Sequence, residues 1–485
     1  MYQRAIEDWL DALPLRRQVV AYVRAQGVRA YLVGGTVRDA LLGRQSYDLD
    51  LAIEGQAMAL ARQVADKLHA AYVPLDAGRD VARVVVRVQG SLYHFDFARL
   101  RAEDIEADLW ARDYTINAMA VSLQDPLREL LDPTGGQRDL VAGVLRAVRE
   151  DAFREDPLRI LRGVRLRGVL GFTLTPETEA LARAWLHALT QVSFERIRDE
   201  LVQVLELQDA ASSLAYAGSL GVLAELLPEL GGQGTPLTER AVRAVASLEE
   251  LFGPWASSDE TLTKMQNASS LGLLQRYRPA LARHWAEELS SGHTRWVVLK
   301  LAALLGALPE TLTTEGQVAR RLRCSGREIR FVDAAIAASR RLLAWGARGE
   351  LGPVAIYRYF RDLDDAGVDG ALLSLAVHRA QMEKDGASET WAALVGHTGQ
   401  LLNAWFDQQA ILIDPPQLLS GHDLLQILEV KPGPEVGQLL QALREAQVQG
   451  LVNTPSEALE YLRKRIRGQA SGTLPDTGAQ GQHKR

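Results

Sequence analysis

Along the first 140 residues the apolar positions come in short runs that alternate with helical stretches. Ala30–Val33, Leu49–Ile53, Ala82–Val88 and Leu92–Phe97 are brief, β-branched or aromatic, and bounded by Gly, Asp or Arg, which predicts strands. Val37–Leu42 and Gln56–Ala70 space their apolar residues as helices do. This portion is expected to be α+β, with the only sheet of the chain. Past about Gly143 the spacing turns helical, as in EDPLRILRGVRLRGVLGF and SFERIRDELVQVLEL. Breaks rich in Gly, Pro, Ser and Thr fall at 231–236, 254–263, 309–317 and 384–390 and mark candidate domain edges. The most apolar run, Trp296–Leu308, is interrupted by Lys300 and is shorter than the roughly 18 residues of a membrane span, so a buried helix is expected. No repeat or heptad is visible. The closing GQASGTLPDTGAQGQHKR has no apolar rhythm and is expected to be disordered.

Composition narrows the class. A chain of 485 residues, 47% apolar and 24% charged, can bury a large core in several domains, which excludes a mostly disordered or collagen-like protein. The N-terminus mixes charges into its apolar positions and has no signal-peptide core, and a single cysteine, Cys324, excludes an internal disulfide framework. Both fit a cytoplasmic protein with no membrane partner. The net charge of −6 hides a stripe at 138–167, where eight arginines face five acids. Such a local excess suggests one defined site for a polyanion.

Candidate chemistry concentrates in YLVGGTVRDALLGRQSYDLDLAI, residues 31–53. Asp48 and Asp50 flank one apolar residue on a predicted strand, so both carboxylates share a face and could hold hard divalent cations. Gly34 and Gly35 lie between a strand and a helix start, where bare backbone N–H groups can approach a triphosphate. Arg38, on the first helical turn, could meet phosphate oxygens. Each piece alone is an ordinary turn or solvated face. Strand, Gly-Gly, helix start with Arg, and Asp-x-Asp strand in one compact unit point together to two-metal phosphoryl or nucleotidyl transfer.

GGTVRDALLG followed by DLDL resembles the signature of the class II tRNA nucleotidyltransferase and poly(A) polymerase family, within the superfamily that includes DNA polymerase beta. ARDYTINAMA (111–120), DPTGGQRDL (132–140), REDPLRILRGVRL (154–166) and SFERIRDEL (193–201) are similar to the next family motifs, in order. LLSGHDLLQILEVKPGPEVGQLL resembles the family's tail. The resemblance spans residues 31 to about 465, more in character than in words between 206 and 417. It implies a catalytic α+β head at 1–140, then an all-helical neck at 141–205, body at 206–345 and tRNA-binding tail at 346–467, with a disordered end at 468–485.

The resemblance also implies that Asp48 and Asp50 hold two Mg²⁺ ions and that a third carboxylate stands nearby. Asp96 is the candidate, with Glu103 and Asp104 behind it; a pairing with Arg99 or Arg112 is the alternative. Arg112, Asp113 and Asn117 would face the sugar and phosphates, although position 111 is Ala where the family often has Arg. Asp132, Gly135, Gly136 and Asp139 could form a hinge between head and neck, or simply a turn.

Asp156 and Arg159 lie three apart on a predicted helix, hence on one face. They could form an ordinary ion pair. They could also read a base edge: Arg only donates and ionised Asp only accepts. Cytosine and adenine each offer an amino donor beside a ring acceptor and complement that pair, whereas uracil and guanine would clash with it. Glu155, Arg162, Glu195, Arg196 and Glu200 are candidate braces. Some of Arg146, Arg149, Arg154, Arg165 and Arg167 could meet the tRNA acceptor end.

The expected activity is template-independent addition of C, and with ATP of A, to the tRNA 3′ end, from CTP and ATP with release of pyrophosphate. The rival enzyme is a poly(A) polymerase of the same family. A catalytically inactive RNA-binding protein would have to lack the metal carboxylates, which are present. Between the Asp96 strand and Arg112 lies only ARLRAEDIEADLWA, a short helix-like link. Many full CCA-adding members carry a longer flexible loop there, so a CC-adding specialisation is expected; a different segment could instead do the switching.

Overall fold

The computed structural model describes residues 2–88, 91–124, 130–231, 235–256, 269–290, 292–308, 315–382, 389–428 and 430–470. The chain divides into two compact units, 1–239 and 240–485.

Unit one begins with helices α1 (Tyr2–Asp11) and α2 (Pro14–Ala25). The head follows as β1 (Ala30–Val33), α3 (Gly35–Leu41), β2 (Asp48–Ile53), α4 (Ala57–Leu68), β3 (Ala71–Asp76), β4 (Val81–Val88), β5 (Ser91–Arg99), α5 (Ile105–Trp110), β6 (Ala120–Ser122) and β7 (Leu130–Leu131). They form a seven-stranded sheet in the order β3-β4-β5-β2-β1-β6-β7. Only β2 and β5 run parallel. Alternation decides the faces: Tyr93, Phe95 and Phe97 are buried, on the side where α4 packs, and His94 and Asp96 point the other way.

The predicted strands are present, within a residue or two at their ends, but the sheet is larger than expected. The edge strand β3 is mostly exposed and contains Pro74, so it lacks the apolar signature of a strand. β6 and β7 are too short to show a period. The expectation of a single sheet also fails. A two-stranded ladder joins β8 (Val144–Leu145) to β9 (Thr173–Leu174), and in unit two Glu288–Ser290 pairs with His293–Thr294.

α6 (Gly136–Ala142) precedes β8, and α7 (Ala152–Glu155) and α8 (Leu158–Leu170) follow it. The helix expected across EDPLRIL is therefore interrupted. Asp156 is extended (φ −144°, ψ 95°) because Pro157 disfavours the helical conformation in the residue before it. α9 (Pro176–Trp185) and α10 (Phe194–Leu205) complete the segment that bears on the site.

Unit two is helical apart from its small ladder. The apolar run at 296–308 forms the helix Arg295–Leu305, buried as expected, and Lys300 is accommodated by Glu249 at 2.7 Å. Asp369, fully buried, accepts from Arg295 Nε (2.8 Å) and Trp285 Nε1 (3.0 Å) and lies 3.0 Å from His284 Nε2. Of the expected breaks, Pro254 lies inside the helix Pro236–Ala256, and 257–263, 309–314 and 384–388 lie outside the described residues. The last helix runs to Ala470, past the expected start of the disordered tail; 471–485 lie outside the described residues. Among the described residues no helix is long and apolar enough to cross a membrane.

Candidate active site

A cleft of about 1150 Å³ opens in unit one and gathers side chains from motifs far apart in sequence. Gly34, Gly35, Asp50, Asp96, Arg112, Asp113, Asn117, Asp156, Arg159 and Arg162 all line it.

Gly34 sits at φ 66°, ψ −132°, which a side chain would strain. A Cβ there would stand 3.1 Å from Arg112 Nη1 and 3.4 Å from Asp50 Oδ2, and at Gly35 it would stand 3.4 Å from Asp50 Oδ2. The glycine turn, the carboxylate and the guanidinium thus meet within a few ångströms. Thr36 fixes β2 against this turn, its Oγ1 accepting the Asp50 N–H at 2.7 Å.

Asp48 and Asp50 occupy alternate positions of β2, on the face away from the aromatic core. Asp48 is at the exposed end of the strand, with His94 Nδ1 3.1 Å from its Oδ1. Asp50 is partly covered. Burial, then the neighbouring Asp96 and Asp48, push its carboxyl up to about 6 against the pull of Arg112 and Arg162. No hydrogen-bond or ion-pair partner meets its carboxylate among the described residues. A hard divalent cation fits this donor set: two carboxylates on one face, one of them desolvated and in no ion pair among the described residues. Asp96 stands beside Asp50 in register, but pairs with neither Arg99 nor Arg112. Arg83 Nε and Nη2 donate to its two oxygens at 2.7 and 2.8 Å.

Arg38 lies behind the cleft. Buried, it donates to both Asp39 oxygens (2.8 and 3.0 Å) and to Asn117 Oδ1 (2.7 Å), and its Nη2 would stand 3.4 Å from a Cβ on Gly35. Asn117 Nδ2 in turn donates to Asp113 Oδ1 at 3.3 Å. Burial would raise the Asp113 carboxyl, but Arg162, the Tyr114 N–H, Asn117 and Arg159 outweigh it and hold it at about 2. Arg162 Nε meets Asp113 Oδ2 at 2.7 Å.

Asp156 and Arg159 face the same cleft without touching each other in an ion pair. Asp156 Oδ2 accepts from Arg196 at 2.7 Å. Arg159 is fixed by backbone carbonyls, those of Ala111 (2.8 Å), Arg112 (3.2 Å) and Ala152 (3.2 Å). Of the expected braces, Arg196 meets Asp156 directly and Glu155 lies 3.7 Å from Arg159, whereas Arg162 serves Asp113 and Glu200 pairs with Arg165.

The third motif builds the junction and stays outside the cleft. Asp132 accepts the Gly136 and Gln137 N–H groups at 2.6 and 2.8 Å, and buried Asp139 accepts from Thr115 Oγ1 (2.8 Å) and Arg146 Nε (3.1 Å). A Cβ at Gly136 would fall 2.1 Å from the Thr115 carbonyl, so these elements are tightly apposed.

Two residues escaped the motif reading. Arg83 belongs to no motif. Asp108, on α5 in the short link, accepts from Arg112 Nε and Nη2 at 3.0 and 2.9 Å and from the Arg101 N–H at 2.8 Å. An Asp four residues before an Arg on a helical link was the available signal for the second.

Known proteins resemble this chain over most of its length. The family described as Poly A polymerase head domain matches residues 30–146, and tRNA nucleotidyltransferase domain 2 matches 295–462. A CC-adding tRNA nucleotidyltransferase of Geobacter sulfurreducens is 33% identical over 453 residues, covering 93% of this chain and 95% of its own. An A-adding tRNA nucleotidyltransferase of Deinococcus radiodurans is 34% identical, covering 90% and 95%. A solved CCA-adding enzyme in complex with CTP shares the fold, with TM-score 0.64 and 22% identity over 96% of this chain and 98% of that one.

Proposed function

The chain belongs to the class II tRNA nucleotidyltransferase and poly(A) polymerase family, and we propose that it adds C to the 3′ end of tRNA from CTP, releasing pyrophosphate. The observation that carries this reading is the meeting of Asp50, the Gly34–Gly35 turn and Arg112 at one point of the cleft. There a triphosphate would find backbone N–H donors and a guanidinium beside the carboxylates.

Asp48 and Asp50 would hold Mg²⁺, which when bound lowers the pKa of the attacking 3′-hydroxyl and neutralises charge on the triphosphate. The residues of the chain do the positioning. Asp108 holds the Arg112 fork beside Gly34, and Arg38 holds Asn117 toward Asp113. Asp156 and Arg159 supply an acceptor and a donor for the base, and their separate anchoring to Arg196 and to backbone carbonyls keeps both rigid without cancelling each other. That arrangement favours C and A over U and G.

The specialisation we infer is CC addition. The link between β5 and Arg112 is folded: α5 is capped by Asp104, whose carboxylate accepts the Ala107 N–H at 2.8 Å, and Asp108 ties it to Arg112. A pocket must enlarge to exchange a pyrimidine for a purine, and a pinned helix stores little of the motion this needs. The A-adding relative, 34% identical, favours a second reading, in which the product is the terminal A.

The test of the activity is incorporation of labelled CTP into a tRNA transcript ending at the discriminator base. Wild-type protein should incorporate C, and both EDTA and Asp48→Ala should reduce incorporation to background. Undiminished incorporation by Asp48→Ala would refute the carboxylate assignment.

A further inference from the structure

Asp50, Asp96 and Arg83 stand abreast on three neighbouring strands. Asp50 pairs in register with Asp96 on β5, and Asp96 with Arg83 on β4. Directly opposed residues share a sheet face, so Arg83 lies on the face that carries the two strand carboxylates. Its fork occupies both oxygens of Asp96, at 2.7 and 2.8 Å. Asp96 is thereby committed to a cation of the protein itself. Among the described residues no group of three His, Cys, Asp or Glu side chains is placed to hold a metal ion.

This pair is not a buried rivet. The Arg83 side chain is 37% exposed and that of Asp96 27%, so water and ligands can reach both. A guanidinium fork that matches a carboxylate also matches a phosphodiester. The RNA 3′ end must approach this face, because its terminal hydroxyl has to reach the space beside Asp50. A phosphate preceding that hydroxyl, if brought within reach of Arg83, would compete with Asp96 for its fork.

We propose that Arg83 binds the phosphate nearest the RNA 3′ end, and that this contact draws its guanidinium off Asp96 and frees that carboxylate to join Asp48 and Asp50. The proposal rests on the carboxylate reading given above and adds to it a coupling. RNA strengthens divalent-cation binding and the cation strengthens RNA binding, by the same factor, as linkage requires. An enzyme built this way completes its cation site only when a primer is in place.

The test uses the full-length protein and two binding measurements without turnover. Free Mn²⁺ is followed by electron paramagnetic resonance, with and without tRNA lacking its CCA end, after subtraction of Mn²⁺ bound by tRNA alone. In the absence of RNA, Arg83→Gln should bind Mn²⁺ at least about fivefold more tightly than wild type, the lower bound of ordinary coupling energies. Asp96→Asn introduced into that variant should remove the gain. Added tRNA should tighten Mn²⁺ binding to wild type and leave Arg83→Gln unchanged. Separately, in EDTA at fixed salt, Asp96→Asn should bind labelled tRNA more tightly than wild type, because its Arg83 is free, and Arg83→Gln should not. Equal Mn²⁺ affinity of wild type and Arg83→Gln would overturn the proposal, as would tRNA affinity unaltered by Asp96→Asn. If Asp48→Asn and Asp50→Asn still abolish Mn²⁺ binding, the carboxylate reading survives that failure. If they leave Mn²⁺ binding intact, the underlying reading falls and the proposal with it.

Discussion

The Tyr114 hydroxyl fills the space that Gly163 leaves on α8. It donates to the Arg159 carbonyl at 2.8 Å, and a Cβ on Gly163 would stand 2.1 Å from its oxygen. Tyr114 is fully buried, so the ring cannot retreat into solvent. This contact docks the helix that carries Arg159 and Arg162 onto the segment that carries Arg112 and Asp113. Gly163→Ala should therefore destabilise the protein by about 1–3 kcal/mol, the usual range for overpacking a tight contact. Thermal unfolding would show it as a lowered midpoint, and CTP incorporation should fall with it. An unchanged midpoint would mean that α8 is free to shift.

Asp113 makes folding sensitive to acid. Its folded pKa is held at about 2, below the ordinary aspartate value of 3.8. A depressed carboxyl contributes stability that is present above its unfolded pKa and is lost as pH falls through the folded one. The contribution is about 2 kcal/mol at neutral pH. Asp113→Asn should be less stable than wild type by about that amount near pH 7, and the gap should close between about pH 4 and pH 2. Denaturant unfolding of both proteins across that range checks it. A gap independent of pH would assign the loss to something other than ionisation.

Much of this site is legible in the sequence, and what is not has physical causes. Strand alternation placed Asp48, Asp50 and Asp96 on one face, where they are. The position of Arg38 on α3 says where the backbone is, while Asp39 and Asn117 decide where the guanidinium points. The break at Asp156 was available in Pro157, whose effect on its predecessor outranks apolar periodicity. Arg83 was available too. Counting equally outward from the Val88–Ser91 pair matches it with Asp96, a register that follows once both strands are recognised as antiparallel neighbours. Strand β3 was not available, since an exposed edge strand with a proline has no periodic signal to offer.

The separate anchoring of Asp156 and Arg159 makes base selection testable. Arg159→Ala removes a donor whose position is set by the Ala111, Arg112 and Ala152 carbonyls. The CTP-to-UTP preference on a tRNA primer should fall roughly ten- to hundredfold, because a good base contact is worth about 1–3 kcal/mol of discrimination. A slower enzyme with the same preference would make Arg159 a structural residue of the junction.

The central claim, that a link pinned through Asp108 and Arg112 confines this enzyme to C addition, is tested most directly by product length. A tRNA transcript ending at the discriminator base is incubated with purified protein, CTP and ATP together, and the products are resolved at single-nucleotide spacing. The account predicts that the product two nucleotides longer accumulates and persists, and that a transcript already ending in CC is not extended by ATP. Efficient conversion of either transcript to the full CCA end would contradict it.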